Sequence, residues 1–173
     1  GYLLVDLTQF SSKKFLNKIK NYNFKDKRPV CVYVNSTADY IEETSSYFKD
    51  PILQFHGDET NEFAKSHKKE FWKAIRIKDF ESLKEISNYQ DASAILFETY
   101  KKSSYGGTGE TFDWKIIENL NLNQKSILSG GINFENVDNA ISTGAWCIDI
   151  NSGVESSVGI KNISLVKDIL KKL

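Results

Sequence analysis

The sequence has few prolines and few cysteines, and each shortage excludes a class of protein. Only two prolines occur in 173 residues, whereas 40% of the residues are hydrophobic and 13% are aromatic. This composition suits one compact domain and excludes a largely disordered chain. The two cysteines, Cys31 and Cys147, lie in apolar segments without paired spacing. They are therefore interpreted as reduced core residues, and a disulfide framework and a cysteine-rich zinc site are both excluded.

The chain also lacks an excess of either charge and any long apolar run. Its 23 basic and 23 acidic side chains give a net charge of zero, which argues against the broad basic surface of a nucleic-acid or anionic-membrane binder. The apolar runs reach about six residues, whereas a bilayer span needs roughly 18 to 20. The first residues, GYLLVDLTQF, do not resemble a signal peptide. We therefore expect a cytoplasmic protein with neither a nucleic-acid nor a membrane partner.

Short β-branched or aromatic runs alternate with segments in which apolar residues recur every three or four positions. This rhythm is typical of strand–helix units around a parallel sheet. Seven strands are predicted, at residues 2–7, 30–35, 52–56, 72–77, 94–99, 126–129 and 146–150. Each is followed by a predicted helix, at residues 12–21, 37–48, 59–69, 80–88, 112–120, 133–143 and 163–172.

Seven such βα units fit either an open doubly wound sheet or most of a (β/α)8 barrel. The residues that could take part in catalysis or binding follow at least five different strands. This favours the barrel, because the active sites of barrel enzymes are built from residues at many strand ends. No Pro-, Gly- or Ser-rich tract marks a boundary. We therefore expect an α/β chain whose residues 1–173 form a single (β/α)-barrel domain.

A carboxylate and a glycine-rich segment follow the fifth strand. Glu98 ends the strand AILFET, and Gly106, Gly107 and Gly109 come shortly after it. Such glycines let backbone N–H groups approach an anion or let a loop close over a site. Glu98 is accordingly a candidate catalytic group, with an ion-paired surface residue as the alternative, and the glycines taken alone are equally compatible with a turn.

Glycine turns also follow the last two strands. Gly130 and Gly131 lie between the sixth strand and its helix, and Ser152 and Gly153 follow the seventh strand. In a barrel, amides at these positions form the usual phosphate site, so we expect these four residues to bind a phosphate group.

The two histidines and a lysine pair complete the candidates. Gln54 and His56 alternate along one strand face near its end, where His56 either lines a site or is a hydrogen-bonded structural residue. His67, within KSHKKE, is expected on a solvated helix face. Lys14 follows the first strand with Lys13 and either meets a substrate anion or begins a solvated helix.

Four segments in this order resemble the phosphoribosylanthranilate isomerase family. They are LQFHGDE, YGGTGETFDW, LSGGINFENV and DINSGVESSVGIK. The resemblance implies a (β/α)8 barrel that acts in tryptophan biosynthesis. It implies an Amadori rearrangement of N-(5′-phosphoribosyl)anthranilate to 1-(o-carboxyphenylamino)-1-deoxyribulose 5-phosphate without a metal or an organic cofactor. The expected partner is thus a small phosphosugar substrate, and the expected state is a monomer or a homodimer.

The resemblance also implies residue roles. The family's general acid is an Asp at the end of the sixth barrel strand, where this chain has Glu98. Its Ser-Pro-Arg motif, whose Arg faces the anthranilate, corresponds to a segment that ends in Lys14, so Lys14 is expected to bind the anthranilate carboxylate. His56 and Gly107 are expected at the substrate, and Asp149, which begins the last segment, is expected to orient groups in the site.

The family's first strand ends in Lys-Ile-Cys-Gly, whose Cys is the general base, and this chain begins at what corresponds to the second strand. Three explanations are open: the first unit is disordered or was omitted, the protein is naturally degenerate, or another chain supplies a strand. The alternative function is therefore a phosphosugar-binding barrel that lacks the base. A histidine-pathway sugar-phosphate isomerase is disfavoured because no internal repeat of a half-barrel is visible.

Overall fold

The computed structural model describes residues 2–7, 13–20, 22–100, 111–118 and 120–172, with the side chains of Leu3 and Lys13 left out. The chain divides into two compact units, one formed by residues 1–74 and 88–93, the other by residues 75–87 and 94–173. In the sheet, neighbouring strands follow the chain order from β1 to β7. The expectation of a single domain over residues 1–173 stays a prediction.

The first unit consists of parallel strands, each followed by a helix. Its elements are β1 (Tyr2–Asp6), α1 (Lys13–Lys20), β2 (Arg28–Tyr33), α2 (Ala38–Ser45), β3 (Ile52–Phe55), α3 (Asn61–Ser66) and the first part of β4 (Phe71–Ile77). β1 pairs with β2, β2 with β3, and β3 with β4, all in parallel. Every residue of β3 is buried, as a strand covered on both faces requires.

The second unit continues the same alternation. After the end of β4 come a 3₁₀ helix (Phe80–Asn88), β5 (Ala94–Thr99), a short 3₁₀ helix (Trp114–Ile116), β6 (Lys125–Leu128), α4 (Val137–Ser142), β7 (Cys147–Ile148), the hairpin strands β8 (Glu155–Ser157) and β9 (Ile160–Lys161), and α5 (Ile163–Leu170). β5, β6 and β7 pair in parallel. All seven predicted strands are therefore present.

Threonine side chains define two helix starts in the first unit. Thr37 Oγ1 accepts a hydrogen bond of 3.4 Å from the backbone N–H of Tyr40, and Thr60 Oγ1 accepts one of 3.2 Å from Phe63. Each bond satisfies an N–H group that has no partner within its helix. Because the caps are Thr37 and Thr60, α2 and α3 begin one and two residues later than predicted, respectively.

One helix prediction in the second unit is wrong, and one hairpin there was not predicted. The helix expected at residues 112–120 is only the 3₁₀ turn Trp114–Ile116, whose first turn is capped by Asp113, because the Asn-rich segment beyond it favours turns over helix. The segment after β7 contains the hairpin β8–β9, which the sequence analysis did not predict. Its two-residue turn ends in Gly159, which has a φ of 78°. Among the described residues, no helix has both the length and the hydropathy to cross a bilayer.

His67 is buried, which contradicts the expectation of a solvated residue. Its side chain is only 4% exposed, stacks on Phe55 at a centroid distance of 6.0 Å and meets Phe63 edge-on at 5.1 Å. The lysines around it pointed to an exposed helix face, but α3 ends at Ser66 and His67 turns inward. Burial lowers the pKa of His67, although Glu42 at 3.8 Å acts in the opposite direction.

The buried His67 predicts a loss of stability in mild acid. Its pKa is lower in the folded than in the unfolded chain, so the unfolded chain binds the proton first and stability falls as the pH drops below about 6.5. The free energy of urea unfolding at pH 7.5 and 5.5 measures this. The variant His67→Leu should show a smaller decrease between the two values than the wild type. An equal decrease in both proteins would contradict the prediction.

Candidate active site

Glu98 lies near the end of β5, beside the turn that follows β6. Its side chain is buried, with 5% of the residue exposed. Gly130 has a φ of 90°, and a Cβ atom placed on it would lie 3.4 Å from Glu98 Cγ and 3.0 Å from Thr99 Oγ1. The backbone of the glycine turn therefore contacts the strand end that carries the carboxylate, and Glu98 is not a surface residue.

The turns after β6 and β7 contact each other through their backbones. A Cβ atom placed on Gly153 would lie 1.9 Å from the carbonyl oxygen of Ile132, far inside contact distance. Asn133 and Gly153 also form a parallel β-bridge. Only glycine fits at position 153, and the two turns that contain the expected phosphate-binding residues form one continuous backbone surface.

Two asparagines fix the shape of the turn at Gly131. The carbonyl oxygen of Gly131, a residue with a φ of 65°, accepts hydrogen bonds from Asn136 Nδ2 at 3.0 Å and from Asn133 Nδ2 at 3.4 Å. Asn133 Oδ1 in turn accepts from the backbone N–H of Glu135 at 2.9 Å. Since each amide side chain bonds the backbone, these hydrogen bonds hold the turn in one conformation.

Asp149 is anchored beside this surface. Its backbone N–H donates to the carbonyl of Leu128 at 2.8 Å, and its Oδ2 accepts a hydrogen bond of 3.0 Å from Ser129 Oγ. Ser129 directly precedes Gly130, so Asp149 is tied to the start of the glycine turn. Ser152, three residues further along, is exposed.

The expected site residues of the first unit lie at a strand end and on a helix. His56 directly follows β3, its backbone N–H donates to the carbonyl of Tyr33 at 2.9 Å, and its Nδ1 lies 3.2 Å from Gln54 Nε2. The pairing of Gln54 with His56 on one face is therefore as predicted. Lys14 is an exposed residue in the first turn of α1. Gly107 lies outside the described residues, as do Gly106 and Gly109.

Sequence reasoning missed a buried ion pair close to His56. Lys73 in β4 is 1% exposed, donates to the carbonyl of Gly57 and lies 3.7 Å from Glu59 Oε2. Glu59 accepts backbone N–H bonds from Asn35 at 2.6 Å and from Gly57 at 2.9 Å. The pair thus binds the segment after β3 to the neighbouring strands. A lysine inside the apolar run FWKAIRI was the available signal, because a lysine is buried only when it is paired.

Neither cysteine has the properties of a proton acceptor. Cys31 lies fully buried in β2, where burial raises the pKa of its thiol to about 12. Burial, and after it the charge of Asp149, raises the pKa of Cys147. Both thiols are therefore held in the protonated form, which is not nucleophilic or basic. Among the described residues, no group of three or more His, Cys, Asp or Glu could hold a metal ion.

Comparison with known proteins identifies the family. A sequence model described as N-(5′-phosphoribosyl)anthranilate isomerase matches residues 4–172. The isomerase of that name from Thermoanaerobacter pseudethanolicus is 37% identical over 151 residues, which are 86% of this chain and 73% of the relative. The one from Acetivibrio thermocellus is 31% identical over 100% of this chain and 84% of the relative. The chain belongs to the phosphoribosylanthranilate isomerase family.

Solved structures of the family show the same fold. The isomerase from Thermotoga maritima superimposes with a TM-score of 0.83 at 26% identity, over 98% of this chain and 85% of the other. A family member in complex with reduced 1-(o-carboxyphenylamino)-1-deoxyribulose 5-phosphate has a TM-score of 0.77 at 25% identity, over 98% of this chain and 84% of the other. The expected class, a (β/α)8 barrel of which the described residues contain seven strands, is thereby confirmed.

The contact at Gly153 predicts that even one added methyl group separates the two turns. In Gly153→Ala the new Cβ would collide with the Ile132 carbonyl, so we expect at least a tenfold loss of affinity for inorganic phosphate, which corresponds to about 1.4 kcal/mol or more. Phosphate titration followed by NMR measures the affinity.

Gly144→Ala is the matched control for Gly153→Ala. Gly144, unlike Gly153, has a positive φ, of 73°, and a Cβ atom there meets nothing within 4 Å. The control should lose some stability through backbone strain and keep its phosphate affinity. If both variants lost affinity equally, a general loss of stability rather than the contact would be responsible.

The Lys73–Glu59 pair predicts an asymmetric response to mutation. Lys73→Met leaves the Glu59 carboxylate buried without its counter-charge, and we expect a decrease of roughly 3–5 kcal/mol in the free energy of unfolding. The double variant Lys73→Met/Glu59→Gln should recover part of this. Lys84→Met, which breaks the exposed Lys84–Glu81 pair, should cost less than about 1 kcal/mol. Urea unfolding compares the three, and similar losses for Lys73→Met and Lys84→Met would refute the assignment.

Proposed function

We propose that this chain catalyses the isomerisation of N-(5′-phosphoribosyl)anthranilate in tryptophan biosynthesis, with Glu98 as the general acid. The observation that carries the proposal is the position of Glu98. It is a buried carboxyl group whose side chain adjoins the glycine turn at Gly130. A phosphate bound at that turn would bring the attached sugar within reach of the carboxyl group.

The reaction is an Amadori rearrangement, which moves hydrogen from C2′ of the ribose to C1′. A general acid protonates the ring oxygen, so that the C1′–O bond breaks and the ring opens to an iminium ion. A general base then removes the C2′ proton, and the resulting enol amine becomes the ketone when C1′ takes up a proton and the C2′ hydroxyl group releases one. Positioned acid–base groups typically contribute a factor of about 10² to 10⁴ to such steps.

The remaining residues bind and orient the substrate. Gly130, Gly131, Ser152 and Gly153 surround the phosphate, because backbone amides at adjoining turns after the last strands of a barrel converge on an anion. Asp149, held by Ser129, orients groups beside this turn. Lys14 provides a cation for the anthranilate carboxylate, and His56 and Gly107 contact the substrate.

The general base is neither Cys31 nor Cys147 in this proposal. Removing the C2′ proton needs a group that is deprotonated before the reaction, and the pKa values of both thiols are raised. Substrate binding without turnover would favour the alternative of a phosphosugar-binding barrel without its base. No metal or organic cofactor takes part in the proposed steps.

The proposed setting is the cytoplasm, and the proposed state is a monomer or a homodimer. One solved relative, at a TM-score of 0.79 and 27% identity, is described as monomers generated from the dimeric Thermotoga maritima isomerase. For that relative, therefore, both a dimer and monomers generated from it are described. The proposed partner is the small phosphosugar alone, without nucleic acid or membrane, as the balanced charge of the chain suggests.

The role of Glu98 predicts a selective effect on turnover. Glu98→Gln keeps the shape of the side chain and removes the acidic proton, so kcat should fall by about 10² or more while KM changes little. Glu98→Asp, which restores the acid of the resembling family, should retain much more activity than Glu98→Gln. Steady-state kinetics with N-(5′-phosphoribosyl)anthranilate measure both. Unchanged turnover in Glu98→Gln would reject the assignment.

A further inference from the structure

The hairpin β8–β9 lies directly after the turn that contains Ser152 and Gly153. The backbone N–H of Val154 donates to the carbonyl of Asn151 at 3.4 Å, and that of Glu155 donates to Ser152 at 3.0 Å. Two overlapping turns thus run from the end of β7 into β8. A displacement of Asn151 or Glu155 therefore changes the conformation of the segment between them.

Lys161 on β9 bonds both ends of this segment. Its Nζ donates to the carbonyl oxygen of Asn151 at 2.8 Å, to Asn151 Oδ1, and to Glu155 Oε1 at 2.7 Å. An ammonium group has three N–H donors, and these three acceptors match them. A single side chain therefore closes the segment from Asn151 to Glu155 into a ring.

Glu155 is fixed in the same arrangement. Its second oxygen accepts a hydrogen bond of 3.0 Å from the backbone N–H of Gly159 in the hairpin turn. The hydrogen bond from Lys161 lowers the pKa of Glu155, and the bond from Gly159 does so to a smaller extent. Glu155 is thus ionised at neutral pH, although a carboxylate close to a phosphate site would by itself repel the ligand.

The ionised Glu155 lies only two residues from Gly153, where an anion is expected to bind. Glu155 does not serve the anion through its charge. It serves by holding Lys161, which in turn holds the carbonyl of Asn151 and so fixes the turn before Gly153. Since Gly153 touches Ile132, the position of this turn also fixes the contact with the turn after β6.

We propose that Lys161 and Glu155 are positioning residues of the phosphate site, which clamp the turn from Asn151 to Glu155 in its binding conformation. The inference rests on the proposed function in that it takes this turn to bind phosphate. It assigns to the hairpin a role in substrate binding without direct contact to the substrate.

A direct electrostatic effect of the two side chains on the phosphate would change the phosphate affinity in a different way. If Lys161 and Glu155 acted on the phosphate through space, removing the cation would weaken binding and removing the carboxylate would strengthen it. If they position the turn, both changes weaken binding, because either one opens the ring. Glu155→Leu therefore separates the two explanations by the sign of its effect.

The experiment measures the dissociation constant of inorganic phosphate by NMR titration, and in parallel kcat and KM for N-(5′-phosphoribosyl)anthranilate. We expect Lys161→Met and Glu155→Leu each to raise the phosphate dissociation constant and KM by about fivefold. Lys161→Arg, which keeps the charge and several donors, should restore most of the affinity. A merely destabilised protein would show a lower active fraction and hence a lower apparent kcat at unchanged KM.

Matched controls come from the same unit. Lys171→Met breaks an exposed ion pair, Lys171–Asp168 at 2.7 Å, and makes the same charge change without touching Asn151, so it should leave phosphate affinity unchanged. Gly131→Asp places a negative charge at the other turn of the phosphate site and should abolish phosphate binding.

Three results would overturn the inference. They are tighter phosphate binding in Glu155→Leu, unchanged affinity in both Lys161→Met and Glu155→Leu, or a loss in Lys171→Met equal to that in Lys161→Met. Failure of the proposed function looks different, because the wild type would then bind phosphate and respond to these variants without converting N-(5′-phosphoribosyl)anthranilate. A wild type that binds no phosphate would remove both the site and the inference.

Discussion

The contact between the Gly153 backbone and the carbonyl of Ile132 is the constraint on which the candidate phosphate site depends. Backbone amides of two different turns can converge on one anion only if no side chain separates the turns. A Cβ atom at position 153 would lie 1.9 Å from that carbonyl. The glycine is thus required by the packing of backbone against backbone, and the neighbouring features serve to hold that contact. The asparagines at positions 133 and 136 shape one turn, and Asp149 ties the strand end of β7 to Ser129.

The first unit shows how a motif can belong to the family and still be mainly structural. In the segment HGDE, the carboxylate of Glu59 accepts two backbone N–H groups, and Lys73 balances its charge. Asn35, with a φ of 49°, supplies one of these groups, and its side chain accepts the N–H of Asp58 at 2.8 Å. The Glu59 carboxylate thus accepts hydrogen bonds from backbone N–H groups at a strand end, as a capping side chain does at the start of a helix. Only His56 of this segment stays a candidate for contact with the substrate.

The sequence predicts the seven strands because their signal is local. A short window of sequence is enough to show an apolar run bounded by turn residues. Parallel strands that are buried on both faces consist almost entirely of such apolar residues. The glycine turns could also be located from the sequence, since Gly130 and Gly131 come shortly after β6 and Gly153 lies between β7 and β8. What could not be predicted depends on tertiary contacts. His67 is surrounded by lysines in the sequence, but its side chain packs against two phenylalanines. Lys73 is buried because Glu59, fourteen residues away in the sequence, lies close enough to balance its charge. The β8–β9 hairpin lacks the Asn-Gly or Asp-Gly turn that is the strongest sequence signal of a short hairpin. It is therefore recognised only from the antiparallel pairing of its two strands in the structure.

The substitution of Glu98 for the aspartate of the resembling family can be interpreted from the same local geometry. In an aspartate, Cγ is the carboxyl carbon, whereas in Glu98 it is a methylene group. That methylene lies 3.4 Å from the position that a Cβ atom on Gly130 would occupy. The carboxyl group of Glu98 therefore starts one bond, about 1.5 Å, further along the side chain than an aspartate carboxyl would. Because position 130 has no side chain, the methylene lies beside the glycine turn with room to spare, and even a Cβ atom there would only come into van der Waals contact with it. The longer acid is thus accommodated beside the glycine turn as a buried residue.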